Sequence, residues 1–294
     1  MTVAPTDLAV LAAPSVRKSG VRDTIRRHPT IVFGATLLGL MALTAIFAPY
    51  LGTVDPQALS PIRRLRWPSA QYWFGTDMLG RDIYSRTIYG GRVSLTVGIS
   101  VALLSISFGL MIGLVTGFSR WADAIVMRIM DGLMSIPAVL IAIALMALTR
   151  ASMENVIFAI TVAEVPRVTR LVRGVVLTLR ELPFVEAAHA SGTRFFRILW
   201  RHILPNTLPP LLVQGTFVAA SAMIVEAILS FLGAGTPPNI PSWGNIMAEG
   251  RSLFQVAYYI VLIPGAFLSI TVLAINLLGD GLRDALDPRL ARRM

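Results

Sequence analysis

Along the 294 residues, long stretches free of Asp, Glu, Lys and Arg alternate with short, charge-dense segments. A helix rises 1.5 Å per residue and needs about 20 residues to cross about 30 Å of hydrocarbon. Each uncharged apolar run of that length therefore predicts a membrane-spanning helix. Five runs qualify: 31–54, 93–119, 132–149, 203–225 and 252–279. A sixth is weaker, because only residues 155–163 are uncharged before Glu164, Pro166 and Arg167 intervene. It predicts a span over about 153–172. Parity favours it, since six spans return the chain to the face on which it began and five do not.

Composition agrees with the pattern. Only 14% of the residues are charged, against about 25% in an ordinary soluble domain. The chain lacks the polar residues to cover a soluble core, and the fold class expected is an all-α, multi-pass membrane protein. The 26 cations exceed the 16 anions, for a net charge of +10, and Lys18 is the only lysine. A soluble protein so basic would suggest nucleic acid. Here the cations fall between the apolar runs, where they orient spans in a membrane, so no nucleic-acid partner is expected and the lipid bilayer is. Arg120, Arg128, the arginines from 167 to 201, and those of both terminal segments fall on one side of the six-span arrangement. That side is taken as cytoplasmic, with both termini. The segment after the first span is an exception, holding Arg63, Arg64, Arg66, Arg81, Arg86 and Arg92, partly offset by Asp55, Asp77 and Asp82. Residues 1–16 are small and nearly uncharged and are expected to be disordered. Residues 17–30 are basic and suit the inner membrane surface. The first run is too long for the 7–15-residue core of a signal peptide, and is expected to be retained. No cysteine is present, which removes disulfides, thiolate metal sites and cysteine nucleophiles.

Candidate chemistry concentrates between the fourth and fifth spans. Pro183 suits the first turn of a helix, where its missing N–H is not needed. Glu186 places negative charge near the positive end of that helix, and Gly192 can take the left-handed conformation that closes it. Residues 187, 188, 190 and 191 are small, so another surface can approach the backbone closely. A short cytoplasmic connecting helix would account for these features equally well.

Glu186-Ala187-Ala188, Gly192 and Leu204-Pro205 resemble the EAA motif of permease subunits of bacterial ABC importers, with one departure: His202 stands at the motif's isoleucine position. The form His202-Ile203-Leu204-Pro205-Asn206 is similar to the peptide and nickel branch of that family. Three further segments resemble the second permease subunit of dipeptide, oligopeptide and nickel importers. They are Phe74-Gly75-Thr76-Asp77-Met78-Leu79-Gly80-Arg81-Asp82, the stretch from Leu229 to Gly244, and the tail from Asn276 to Arg289. The resemblance implies a type I ABC importer permease of six transmembrane helices, both termini cytoplasmic, in the bacterial inner membrane. It divides the chain into a cytoplasmic arm (1–30), a first span (31–54), an external loop (55–92), a core permease domain (93–280) with its coupling helix at about 183–192, and a cytoplasmic tail (281–294). It implies that Glu186, Ala187, Ala188, Gly192, Leu204 and Pro205 couple the chain to a cytoplasmic ATPase. A homologous second permease subunit, two ATPase subunits and an external solute-binding protein would complete the importer. Di- or oligopeptides are the implied substrates, with nickel and glutathione-like solutes sharing the same motifs. The chain has no G-x-x-x-x-G-K-[ST] loop, so ATP and magnesium would be held by the partner subunits, with no catalysis, cofactor or metal here.

Other residues admit competing readings. Glu226, late in the fifth span, is either a helix-pairing or snorkelling group, or a residue lining or gating a path. Glu164 is expected to pair with Arg167 at i+3. Arg63, Arg64 and Arg66 are candidate contacts for the solute-binding protein. His28, His189 and His202 have no second ligand at metal-binding spacing, and Asp123 and Asp131 have no further support as a catalytic pair. Gly109, Gly113 and Gly117 form a small-residue stripe suited to close helix packing in lipid. A self-sufficient secondary transporter would need coupling carboxylates or broken helices in both halves, where only Glu164 and Glu226 qualify. An intramembrane enzyme would need a nucleophile–base pair, and none is visible in the spans.

Overall fold

The computed structural model describes residues 29–286. The expectations for the terminal arm, His28, and the tail beyond Leu286 lie outside the described residues. Ten helices carry the fold: α1 (Pro29–Ile46), α2 (Ile83–Phe118), α3 (Arg120–Met134), α4 (Ala138–Ala147), α5 (Met153–Arg180), α6 (Pro183–Ala190), α7 (Phe195–Ile198), α8 (Leu204–Phe231), α9 (Trp243–Gly250) and α10 (Tyr259–Leu286). A π turn, Leu199–Ile203, joins α7 to α8.

Four stretches are long and apolar enough to cross a membrane: α1, α2, the continuous run from α7 through α8, and α10. The pair α3–α4 makes a fifth if counted as one bent span. Helix α5, which contains the weak fourth span, is 28 residues long and so about 42 Å. It carries Glu154, Glu164, Arg167, Arg170, Arg173 and Arg180, too many charges to pass as a lipid-facing span on composition.

The largest departure from expectation is in the third run. Residues 132–149 do not form one helix but belong to two, which meet at 90°. The break falls at Ser135-Ile136-Pro137, where Pro137 has no N–H to donate and its ring excludes Ile136 from the helical region. Ser135 closes α3 by donating its hydroxyl to the Gly132 carbonyl at 2.7 Å. Helix boundaries move elsewhere too. Helix α1 ends at Ile46, before a 3₁₀ turn at Ala48–Tyr50 that contains Pro49. Helix α2 starts at Ile83, ten residues ahead of the uncharged run, capped by Asp82, whose carboxylate accepts from the Ser85 N–H at 2.8 Å. Helix α10 starts at Tyr259, because residues 251–253 form a separate 3₁₀ turn.

The central core lies where α2, α5 and α8 pack, with Val97, Val101, Val168, Val172, Val176, Leu211 and Val218 buried. The glycine stripe on α2 makes this contact. A methyl group added at Gly109, Gly113 or Gly117 would lie 2.5–2.6 Å from Val168, Val172 or Val176, respectively. Three glycines thus face three valines turn by turn, which brings two helix backbones close. In lipid such dispersion contact replaces the hydrophobic drive of a soluble core.

Candidate functional site

The structure places the candidate coupling residues Glu186, Ala187 and Ala188 on α6, Gly192 just beyond its end, and Leu204 and Pro205 at the start of α8. Pro183 occupies the first turn of α6 and Leu182 precedes it in extended conformation. Val185 is fully buried, and Ala188 packs on the central core; these two fasten the helix to the body. Glu186, Ala187, His189 and Ala190 face outward and are exposed. The helix closes through Gly192 at φ +72°. The Gly192 N–H donates to the His189 carbonyl at 3.0 Å and the Thr193 N–H to the Ala188 carbonyl at 3.1 Å. This paired closure needs a left-handed residue at its corner, the conformation that costs glycine least.

Pro205 opens the second half of the motif. It has no N–H, and its ring displaces the carbonyl one turn earlier. The chain widens there into the π turn, where the Leu204 N–H donates to the Leu199 carbonyl. Leu204 is half-buried and Pro205 exposed. The two halves of the motif meet through Phe184 and His202, whose ring centroids are 5.9 Å apart. His202, the position that departs from the motif, thus meets α6 with its ring tilted 46° to that of Phe184. Two further ties hold this end together. Arg180 donates to the Gly117 carbonyl at 3.0 Å, and Phe118 meets Phe195 edge to face at 4.8 Å. Helix α3 is bridged to α5 by Arg173 with Asp123 and by Arg170 with Asp131, the latter at 2.5 Å.

Glu226 is fully buried. Its Oε1 accepts from the hydroxyls of Ser242 at 2.8 Å, Ser230 at 2.9 Å and Thr236 at 3.4 Å. Ser242 also caps α9, accepting from the Asn245 N–H at 3.1 Å. The carboxylate therefore knots α8 to the loop and helix that follow it. Glu164 is buried as well, within 3.3 Å of Arg167 and accepting from the Ser221 hydroxyl at 3.0 Å.

The arginines of the 55–92 segment divide into two groups. Arg63, Arg64 and Arg66 are exposed, and no carboxylate among the described residues lies within ion-pairing distance of them. Their turn is held rigidly from within. The Arg66 N–H donates to the Thr76 hydroxyl at 2.8 Å, and its carbonyl accepts from the Thr76 N–H at 2.9 Å and the Tyr259 hydroxyl at 3.1 Å. Leu65, between them, sits at φ +51°, a strained conformation that surrounding bonds must hold in place. Arg81, Arg86 and Arg92 instead bond to groups of the chain, Arg92 from an exposed position. Arg86 is 1% exposed and lies 2.7 Å from Asp77 and 2.5 Å from Glu249. Arg81 contacts the same two carboxylates at 2.6 and 2.5 Å, and Arg92 donates to the Ala45 and Ile46 carbonyls. This four-residue network was not foreseen. Only the placement of charged residues inside the segment Phe74 to Asp82 hinted at it, and its partner Glu249 lies far along the chain.

Residues 93–292 match the family described as binding-protein-dependent transport system inner membrane component. A Sinorhizobium fredii protein named "Probable peptide ABC transporter permease protein" is 50% identical over 281 residues, spanning 96% of both chains. The dipeptide transport system permease protein of Alkalihalophilus pseudofirmus is 41% identical over 267 residues, 90% of this chain and 88% of that one. In fold, the chain is similar to one from a structure of inward-facing conformations of the MetNI methionine ABC transporter. The TM-score is 0.55 at 21% identity, covering 69% of this chain and 96% of the other.

Proposed function

The chain belongs to the binding-protein-dependent transport system inner membrane component family, and from that premise we propose that it is a peptide-importing permease subunit of a bacterial inner membrane. It pairs with a homologous subunit to enclose a path and couples to cytoplasmic ATPase subunits through α6. In this reading six spans cross the bilayer, α3–α4 forming the bent third and α5 the fourth, with both termini cytoplasmic. ATP and magnesium are bound by the partners, and this chain carries out no covalent step.

The single observation that carries the reading is α6 itself. The helix is anchored on its inner face by Val185 and Ala188, exposes small residues and Glu186 outward, and is closed by a left-handed glycine. Such a helix transmits force in both directions, because its anchors lie between α5 and the π turn that leads into α8. Peptides as substrates are supported by the names of the relatives at 50% and 41% identity. Arg63, Arg64 and Arg66 would meet the external solute-binding protein, with Glu226 bracing the outer end against which that protein presses.

The test is Gly192→Val in the reconstituted importer. Apart from its chain neighbours, no atom lies within 4 Å of a Cβ added there, so the substitution acts through backbone strain of about 1–2 kcal/mol, outside the lipid. The chain should insert and fold, yet capture less of the ATPase subunits and lose peptide-stimulated hydrolysis. Wild-type capture with wild-type stimulation would refute the coupling role. Stimulation by dipeptides but not by nickel ions or glutathione checks the substrate class.

A further inference from the structure

Next to the coupling helix lies a surface of quite different chemistry. Phe196 and Trp200 are 71% and 68% exposed, one helical turn apart. Arg194 caps α7, Arg197 lies within it and Arg201 lies in the π turn, so three arginines crowd the same short stretch as the aromatic pair. All three are exposed, and none has a carboxylate within ion-pairing distance among the described residues. We propose that this face seats on the anionic phospholipid headgroups of the inner leaflet and fixes the depth of the coupling segment.

Continuity with a span argues for lipid. The stretch Phe195–Phe231 runs as a single apolar helix. Its uncharged part, residues 203–225, rises about 34 Å, close to the hydrocarbon thickness of about 30 Å. Trp200 and Arg201 therefore fall at the level of the headgroups, where amphipathic rings and arginines concentrate. A basic cluster immediately beyond a span is the pattern that attracts anionic lipid. The neighbouring α6 offers the reverse, small residues and a glutamate, which suits close approach by a protein backbone. Gly192 separates the two surfaces. The assignment to the inner leaflet rests on the topology proposed above, whereas lipid binding itself requires no ATPase.

The experiment titrates phosphatidylglycerol or phosphatidylcholine into the full chain, purified alone in neutral detergent, and follows its thermal midpoint. Phosphatidylglycerol should raise the midpoint of the wild type and phosphatidylcholine should not. Each arginine near an anionic surface strengthens binding about fivefold. The variant Arg194→Gln/Arg197→Gln/Arg201→Gln should therefore need at least tenfold more phosphatidylglycerol for half the effect. Raising salt should weaken the wild-type response, because exposed charges are screened. Should the triple variant not fold, Arg197→Gln and Trp200→Ala singly should each weaken the response. Equal titrations for wild type and variants, or an equal effect of inorganic phosphate, would overturn the proposal. So would a variant that keeps its lipid response but no longer captures the ATPase subunits, which would assign the face to them. Failure of Gly192→Val to impair coupling would leave the lipid titration unaffected, so the two assignments fail separately.

Discussion

The two ends of this molecule use charge in opposite ways. At the outer end, Arg81 and Arg86 are locked to Asp77 and Glu249, and Glu226 gathers three hydroxyls. Both arginines and one oxygen of Glu226 are bonded within the chain, while Arg86 Nε and Glu226 Oε2 have no partner. At the inner end Arg194, Arg197 and Arg201 are exposed beside Phe196 and Trp200, and Glu186 stands alone on its helix. The network around Asp77 and Glu249 closes on itself, whereas the α6–α7 region pairs some of its charges, Arg173 with Asp123 and Arg170 with Asp131 nearby, and leaves others exposed.

Breaking that network should have the largest effect. Arg86→Leu removes the most buried cation of the network and leaves Asp77 and Glu249 with Arg81 alone; breaking a buried pair costs up to about 3–5 kcal/mol. Folded protein recovered by size exclusion in detergent should fall steeply. The same assay on Arg197→Gln should show almost no change, and equal losses would erase the contrast between the two ends. Next comes the joint between them. Gly113→Leu drives a side chain into Val172, and overpacking costs about 1–3 kcal/mol; the thermal midpoint should drop, and Val172→Ala should restore part of it.

A subtler pair sharpens the picture at Glu226. The variant Glu226→Gln keeps one carbonyl oxygen for Ser230, Ser242 and Thr236, so its midpoint should stay near wild type. By contrast, Glu226→Leu strands those hydroxyls, at about 1–3 kcal/mol for buried groups left unpaired. Indistinguishable midpoints for the two variants would show that the hydroxyl knot contributes nothing. The smallest stability effect is expected at Leu65→Gly, where relief of the left-handed strain is offset by loss of the side chain's packing on the cluster of Ile83, Ile246 and Tyr259, so the midpoint should stay near wild type by differential scanning fluorimetry.

The parts readable in advance were those encoded by local rules. Pro183 and Gly192 delimit α6 as expected, and Gly109, Gly113 and Gly117 mark the close contact with α5. The pairing of Glu164 with Arg167 follows from i+3 spacing. The missed features have a common cause. Cutting the chain at charged residues assumes that charges sit outside helices, but Arg86 and Arg92 lie within α2 and are satisfied by distant groups. The helix therefore begins well before its first uncharged residue. The opposite error occurs at residues 132–149, where an uncharged run concealed the break that Pro137 imposes. The partners of Glu226 and of the 63–66 turn could not be found from spacing, because a loop and a remote helix supply them.

The π turn below α8 has a mechanical consequence. A turn holding one extra residue is a dislocation in the helix: moving it by one position exchanges one hydrogen bond for another and swings the residue it passes through about 100°. Pro205 lacks the N–H needed to continue that exchange toward α8, so the wide turn is confined to the α7 side of the proline and offsets the angular phase of α7 from that of α8.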